Sequence, residues 1–189
     1  YETAEELSVS LAEALLSMDL SPEERAGWYT RAEGWEDGAV DLEVLETALN
    51  HWWDYPPLVA AMQGNISEKG AWEEEAPTFA DELALARLRI LQRQGRIEEY
   101  IHLAEAEGQT SLYINMLARS GETERVVAEA QRYLGSPHEV LALAQVLVEQ
   151  GEAGAALRVA AHGLGLQQGH GLRELARWTV GQAEQAGDT

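Results

Sequence analysis

Apolar residues recur along the chain at spacings of three and four, which is the period of one face of an α-helix, and the alternation typical of strands is absent. Val140, Leu143, Ala144 and Leu147 form one such stripe. We therefore predict an all-α fold. The predicted helices cover residues 4–18, 22–34, 41–54, 57–63, 79–94, 96–107, 109–120, 122–134, 137–150, 152–164 and 171–186.

Capping signals support these helix limits. Ser21 and Pro22 are typical of an N-cap and a first helical position, and Glu24 is spaced to bond back to the cap. Segment 136–139, Ser-Pro-His-Glu, repeats this pattern, so we expect a second helix to start there in the same way. Glycines, which favour helix ends, follow the predicted helices at Gly95, Gly108, Gly121, Gly135 and Gly151.

The second half of the chain contains a degenerate repeat. Gly95, Gly121 and Gly151 each separate two predicted helices, at spacings of 26 and 30 residues. Small residues such as Ala144 and Ala156, on either side of Gly151, would let paired helices approach closely. This pattern predicts a solenoid of helical hairpins similar to a tetratricopeptide array, although the spacing is shorter than in that repeat.

The predicted domain organisation follows from these features. Residues 1–63 form an acidic helical segment, and residues 78–189 form the tetratricopeptide-like repeats. Between them, segment 64–77 is polar and acidic, contains two glycines and ends on Pro77, which predicts a linker. The alternative is one continuous domain.

Charge and composition narrow the classes of function. The net charge is −20, and residues 1–75 hold 18 acidic and 3 basic residues. Such a chain repels phosphate backbones, so we expect no nucleic-acid binding by this piece alone. The negative charge is explained either by binding to basic partners or by a need for solubility. Cysteine is absent, which fits a reducing cytoplasm, and no apolar run is long enough to span a membrane. The start at Tyr1 suggests a piece of a longer chain.

Glu99, His102 and Glu105 form a Glu-x-x-His-x-x-Glu pattern that resembles half of a carboxylate-bridged metal site. Such a site needs a second Glu-x-x-His, and none of the other histidines has an acidic residue three positions earlier. A solvated helix face is the favoured interpretation, and a metalloenzyme is the alternative. Because the chain also lacks Gly-x-Ser-x-Gly, His-Glu-x-x-His and a cysteine nucleophile, we predict that it is not an enzyme and has no cofactor.

The densest aromatic cluster lies in segment 50–57 and includes Trp52 and Trp53. Tryptophan is enriched at binding hot spots, but it also fills the core of small helical units that lack phenylalanine. Both interpretations, packing and a groove that faces a partner, stay open for this cluster.

Arg89, Arg93 and Arg96 follow i, i+4, i+7 spacing and make one basic stripe. A basic stripe of this kind could bind an acidic peptide of a partner. The simpler interpretation is that the stripe pairs with the acidic first half of the same chain.

Residues 70–110, together with segments 11–25 and 132–164, resemble the C-terminal helical region of bacterial SWIM zinc-finger family proteins. The pieces that carry this resemblance are Ala71-Trp72, Ala76-Pro77, Ala86-Arg87-Leu88, Gly95-Arg96, Tyr100 and Leu103-Ala104-Glu105-Ala106-Glu107-Gly108-Gln109.

The resemblance implies a helical-repeat module for protein contacts beside an upstream Cys-x-Cys…Cys-x-His zinc motif. This chain has no cysteine, so zinc is expected only in that upstream region and no ligand can be assigned to a residue here. The alternative that the resemblance implies is a part of a zinc-dependent nucleic-acid-binding protein whose zinc finger lies outside this fragment.

We therefore predict a cytoplasmic, non-enzymatic module that binds a segment of another protein on the face formed by the first helix of each hairpin. Neither a membrane nor a small-molecule substrate is indicated. The residues predicted to contact the partner are Arg87, Tyr113, Asn115 and Gln145, with Trp52 and Trp53 as a second contact.

Overall fold

A computed structural model describes residues 2–33, 35, 42–166 and 170–187 of the chain. The described residues form helices and turns without any strand, which confirms the all-α fold. The described residues contain eleven helices in this order: α1 Glu2–Leu16, α2 Pro22–Glu33, α3 Glu43–Asn50, α4 Pro56–Met62, α5 Ala80–Gln94, α6 Ile97–Ala106, α7 Thr110–Arg119, α8 Thr123–Tyr133, α9 Pro137–Glu149, α10 Ala153–Gly165 and α11 Leu172–Gly187.

Each predicted helix has a counterpart, and the largest difference is in α3. The prediction extended this helix to residue 54, whereas α3 ends at Asn50. The chain must turn there because Pro56 takes the first position of α4 and Tyr55 before it is extended. Residues 34 and 41, at the ends of two predicted helices, lie outside the described residues.

The two predicted capping patterns behave differently. At α2, the backbone N–H of Ser21 donates to Glu24 Oε2 at 2.8 Å and the N–H of Glu24 donates to Ser21 Oγ at 3.3 Å, which is the expected reciprocal cap. At α9, Ser136 makes no side-chain capping bond. Its partner in the predicted pattern, Glu139, instead accepts a hydrogen bond from Ser111 Oγ at 3.5 Å. The predicted start of α9, with Ser136 as N-cap and Pro137 at the beginning of the helix, is therefore confirmed, but the expected reciprocal bonds of the cap are not formed.

The three glycines of the predicted repeat end the first helix of three hairpins, α5–α6, α7–α8 and α9–α10. Gly95, Gly121 and Gly151 have φ angles of 70°, 81° and 83°, a left-handed conformation that favours glycine. In each case the next residue donates its N–H to a carbonyl five residues earlier, which closes the helix end in the same way. These bonds are Arg96 to Leu91, Glu122 to Leu117 and Glu152 to Leu147.

The described chain divides into two units, Tyr1–Gln109 and Thr110–Thr189. This division differs from the predicted one, because hairpin α5–α6 belongs to the first unit: α5 packs on α1 and α6 packs on α4. Segment 64–77, predicted as a linker, lies within that unit, and its Trp72 is only 6% exposed. A buried indole ring anchors the segment to its neighbours, which a free linker would not allow.

Two residues of the basic stripe, Arg89 and Arg93 on α5, pair with α1, as the simpler interpretation predicted. Both Arg89 and Arg93 donate hydrogen bonds to the carboxylate of Glu13, with N–O distances of 2.5 to 2.8 Å. Burial acts to raise the pKa of Glu13, but the bonds from the two guanidinium groups outweigh it and hold that pKa below its ordinary value. The third residue of the stripe, Arg96, pairs with Glu99 on its own hairpin.

In the second unit, small residues allow α9, α10 and α11 to approach closely. Ala144 and Ala156 are fully buried, as expected for the interior of a hairpin. Gly163 on α10 lies against α9 and α11, where an added Cβ would come within 2.5 Å of Val140 and 2.7 Å of Leu175. The absence of a side chain at this position therefore sets the separation of the three helices.

Candidate functional site

The six residues predicted to contact a partner divide between the two units. Those in the first unit are Arg87, Trp52 and Trp53. Those in the second unit are Tyr113, Asn115 and Gln145.

Arg87 belongs to the interior of the first unit, which corrects its prediction as a partner contact. The residue is 1% exposed, and its Nη2 donates to the backbone carbonyl of His51 at 2.5 Å. Burial lowers the pKa of Arg87 to about 10, against the opposing effects of Glu107 and Tyr55. A guanidinium enclosed in this way supports the fold and cannot bind a segment of another protein.

The tryptophan pair also packs within the first unit. Trp52 is 6% exposed, and the guanidinium of Arg25 lies 5.4 Å from its ring centroid. Trp53 is half-buried, donates from Nε1 to the carbonyl of Leu16 at 2.9 Å, and has Arg96 5.3 Å from its ring centroid. Of the two interpretations left open by the sequence, these contacts favour packing.

His51 lies at the centre of an aromatic cluster beside Arg87. Its ring stacks on Tyr55 with centroids 4.0 Å apart and meets the ring of Trp72 edge-on at 5.5 Å. His51 Nδ1 is buried and has no hydrogen-bond partner among the residues that the structure describes. Burial lowers the pKa of His51, the positive charge of Arg87 lowers it further, and Glu73 acts in the opposite direction. The arrangement therefore favours a neutral imidazole.

Tyr113 in the second unit is also buried, so its prediction as a partner contact is corrected in the same way. The residue is 2% exposed, and its hydroxyl accepts a hydrogen bond from Arg125 Nη2 at 3.0 Å. The guanidinium of Arg125 lies 5.6 Å from the centroid of the same ring. Tyr113 thus links the two helices of hairpin α7–α8.

The last two predicted residues lie on the first helices of neighbouring hairpins, which pack side by side. Asn115 on α7 lines a groove of about 160 Å³ between α7 and α9. Gln145 on α9 is exposed and follows Ala142, which lines the same groove, by one helical turn. Asn115 therefore lines the groove itself, and Gln145 lies one turn of α9 beyond it.

The groove has an apolar floor and a polar rim. Ile114 and Leu143 are almost completely buried and form part of the floor. On the rim, Ser111 Oγ donates to Glu139 Oε1 at 3.5 Å, and Asn115 Nδ2 donates to the carbonyl of Ser111 at 2.7 Å. The amide oxygen of Asn115 and the carboxylate of Glu139 can accept further hydrogen bonds. Such a groove can hold one apolar side chain and bond the backbone beside it.

Sequence reasoning missed most of this groove. Ala142 lies between His138 and Gln145 on one face of α9, where a small residue leaves room between two polar ones. That pattern was available in the sequence. Leu134 lies between α8 and α9 and reaches the groove from the end of α8. Its place in the groove depends on how the helices pack, and no pattern in the sequence indicates it.

The Glu99, His102 and Glu105 pattern does not form a ligand set in the described structure. Glu99 pairs with Arg96, and His102 Nδ1 lies 3.0 Å from the carbonyl oxygen of Met62 on α4. Within residues 2–33, 35, 42–166 and 170–187, no group of three or more His, Asp or Glu residues is placed to hold a metal ion. The imidazole of His102 instead joins α6 to the end of α4.

Comparisons with known proteins add no assignment. The chain matches no protein-family model, no curated protein and no solved structure. In the described part of the chain, none of the helices combines the length and the apolar character needed to cross a bilayer. Functional conclusions therefore depend on the geometry of the two units.

Proposed function

We propose that the chain is a non-enzymatic interaction module that binds a short segment of another protein in the groove between α7 and α9. The observation that carries this proposal is the apolar floor of the groove, bordered by Asn115, Glu139 and Ser111 on the first helices of two adjacent hairpins. Helical repeats commonly use the face formed by equivalent helices as an extended binding surface.

The size and chemistry of the groove define the kind of segment that fits. A space of about 160 Å³ accommodates one side chain, and buried Ile114 and Leu143 favour an apolar one. The acceptors of Asn115 and Glu139 suit backbone N–H groups of the bound segment. Gln145 extends the contact by one turn of α9.

Two matched arginine substitutions test the proposal. Ala142→Arg fills the groove, whereas Ala128→Arg adds the same side chain at an exposed position of α8 outside it. Each variant would be used for a pull-down from the native cell followed by mass spectrometry, and each captured protein would then be titrated calorimetrically. A protein bound by the unchanged chain and by Ala128→Arg, but lost with Ala142→Arg, supports the proposal. Binding that Ala142→Arg leaves unchanged contradicts it.

We also propose that the chain is a cytoplasmic, tetratricopeptide-like C-terminal region of a SWIM zinc-finger family protein. The residues of segment 70–110 that resemble that family support this proposal, together with the three glycine-linked hairpins. A Cys-x-Cys…Cys-x-His motif in the coding sequence upstream of Tyr1 is the expected observation. Retention of DNA by this chain at physiological salt would favour the nucleic-acid-binding alternative instead.

A further inference from the structure

The first unit contains a cleft that is separate from the groove of the second unit. Its volume is about 450 Å³, and it lies between segment 68–76, the start of α5 and the end of α6. Trp72, Ala80 and Ala106 provide apolar surface in the cleft. The cleft can therefore hold a ligand several times larger than a single small side chain.

Trp72 is fixed in this cleft by the carboxylate of Glu107. Its Nε1 donates to Glu107 Oε2 at 2.9 Å, and the N–H of Ala71 donates to Glu107 Oε1 at 2.6 Å. Gly70 lies so close to Glu107 and to the carbonyl of Ala106 that an added Cβ would come within 2.7 and 2.8 Å of them. These contacts hold the 70–72 backbone against the end of α6, so the apolar surface is preformed.

The rim of the cleft carries negative charge that the first unit does not neutralise. Glu68, Glu74 and Glu75 line the cleft, and within the described residues none of them has a salt bridge. Among the described residues, Lys69 is the only basic one that lines the cleft, and its ammonium group donates to the carbonyl of Glu73 at 2.7 Å.

The other basic side chains of the first unit are committed elsewhere. This unit holds 24 acidic and 7 basic residues. Six of the basic residues are arginines. Arg25 pairs with Asp54, Arg89 and Arg93 pair with Glu13, and Arg96 pairs with Glu99. Arg31 lies over the ring of Trp28, and Arg87 is buried. Among the described residues of the first unit, no arginine is therefore placed to neutralise the cleft.

We infer that this cleft binds a lysine- or arginine-containing segment of a partner protein. The alkyl part of such a side chain fits along Ala80, Ala106 and the small exposed part of Trp72, while its charged end reaches the carboxylates of Glu74 and Glu75. Charge complementarity decides the class of ligand, because the acidic rim repels nucleic acids and acidic peptides. This inference does not depend on the groove between α7 and α9.

Fluorescence anisotropy with a labelled peptide of two adjacent lysines flanked by glycines provides the test, with the same peptide carrying glutamine for lysine as a control ligand. The double substitution Glu74→Gln, Glu75→Gln should weaken binding about tenfold. The double substitution Asp19→Asn, Glu23→Gln removes two exposed charges of the same unit outside the cleft, and it should change binding by less than about twofold. Equal weakening by both pairs would overturn the inference, because it would show attraction to the net charge alone.

A second measurement locates the bound peptide. The indole N–H resonance of Trp72, assigned through Trp72→Phe, should shift during titration with the lysine peptide because that group donates to Glu107 inside the cleft. The resonance should not shift with the glutamine peptide. A Trp72 resonance that stays in place while the lysine peptide saturates the protein would also overturn the inference.

Discussion

Nη2 of Arg87 donates a hydrogen bond to the backbone carbonyl of His51, which lies 36 positions earlier in the chain, at a distance of 2.5 Å. This bond joins α5 to the turn that follows α3. Nε of the same guanidinium is buried and, within the described part of the chain, has no hydrogen-bond partner, so the described bond network around Arg87 is incomplete. A buried charge that is only partly satisfied contributes less to stability than its central position suggests.

We therefore predict that the volume of Arg87 matters more than its charge. Arg87→Ala should lower the free energy of unfolding by about 3 kcal/mol, because it leaves a cavity and an unpaired carbonyl. Arg87→Met keeps most of the volume and removes the desolvated charge, so it should stay within about 1 kcal/mol of the unchanged chain. Urea denaturation of both variants makes the comparison. If both variants lost the same free energy of unfolding, the hydrogen bond from Arg87 to the carbonyl of His51, and not the volume of the side chain, would account for the stability.

The second prediction concerns the pH dependence of stability near His51. Because the pKa of His51 is lowered in the folded state by burial and by Arg87, the unfolded chain takes up a proton first as the pH falls. The contribution of His51 to the free energy of unfolding is therefore fully present at pH values above its ordinary pKa of 6.5. It decreases as the pH falls from that value towards the pKa of His51 in the folded state. His51→Phe, which preserves a ring to stack on Tyr55, should reduce this decrease.

Urea midpoints measured between about pH 7.5 and pH 5.5 test this prediction. His170→Gln, at an exposed position of the second unit, controls for the loss of any histidine. The unchanged chain and the His170 variant should lose stability in parallel, and the His51 variant should lose less. Identical pH profiles for all three proteins would contradict the assignment.

The third prediction concerns the ion pairs between α1 and α5. Glu13→Gln removes the carboxylate that accepts hydrogen bonds from Arg89 and Arg93, and it should cost about 1 kcal/mol at low salt. These bonds lower the pKa of Glu13 in the folded state. Its contribution to stability is therefore present at pH values above its ordinary pKa of 4.5, and it is lost as the pH falls through the folded pKa. Denaturation at low and high salt should show the loss shrinking with screening.

Asp19→Asn is the matched control for Glu13, since it removes one exposed carboxylate in the turn after α1. Its effect on the free energy of unfolding should stay within about 0.5 kcal/mol. If Glu13→Gln behaves like Asp19→Asn at every salt concentration, the two guanidinium bonds do not hold α1 on α5.

Local patterns in the sequence were sufficient to predict the helices, and in part the contacts between them. The reciprocal cap of Ser21 and Glu24 depends on residues three positions apart, so the sequence contains all of it. The basic stripe on α5 was recognisable from its spacing, although the identity of Glu13 as its partner depends on how α1 packs.

Burial was harder to predict than helix formation. Arg87 and Tyr113 were expected at a surface because each was assigned to the face formed by the first helices of the predicted hairpins. Instead Arg87 donates to a carbonyl on the α3 side, and the Tyr113 hydroxyl accepts from Arg125. Segment 64–77 looked like a linker because its composition is polar, but Trp72 within it binds Glu107, 35 residues away. Partners so distant in sequence are fixed by tertiary packing, which no local pattern specifies.

The last prediction uses two glycines of the second unit to test its close helix packing. Gly163→Ala places a Cβ within 2.5 Å of Val140 and 2.7 Å of Leu175, so α10 must move away from α9 and α11. We expect a loss of about 1–3 kcal/mol from this overpacking. Gly181→Ala lies inside α11, and among the described residues no other element comes within 4 Å of the added Cβ. It should therefore stabilise the protein by about 0.5–1 kcal/mol through helix propensity. Thermal unfolding followed by circular dichroism should therefore shift in opposite directions for the two variants. A gain in stability from Gly163→Ala would mean that the three helices are not held at the separation this glycine sets.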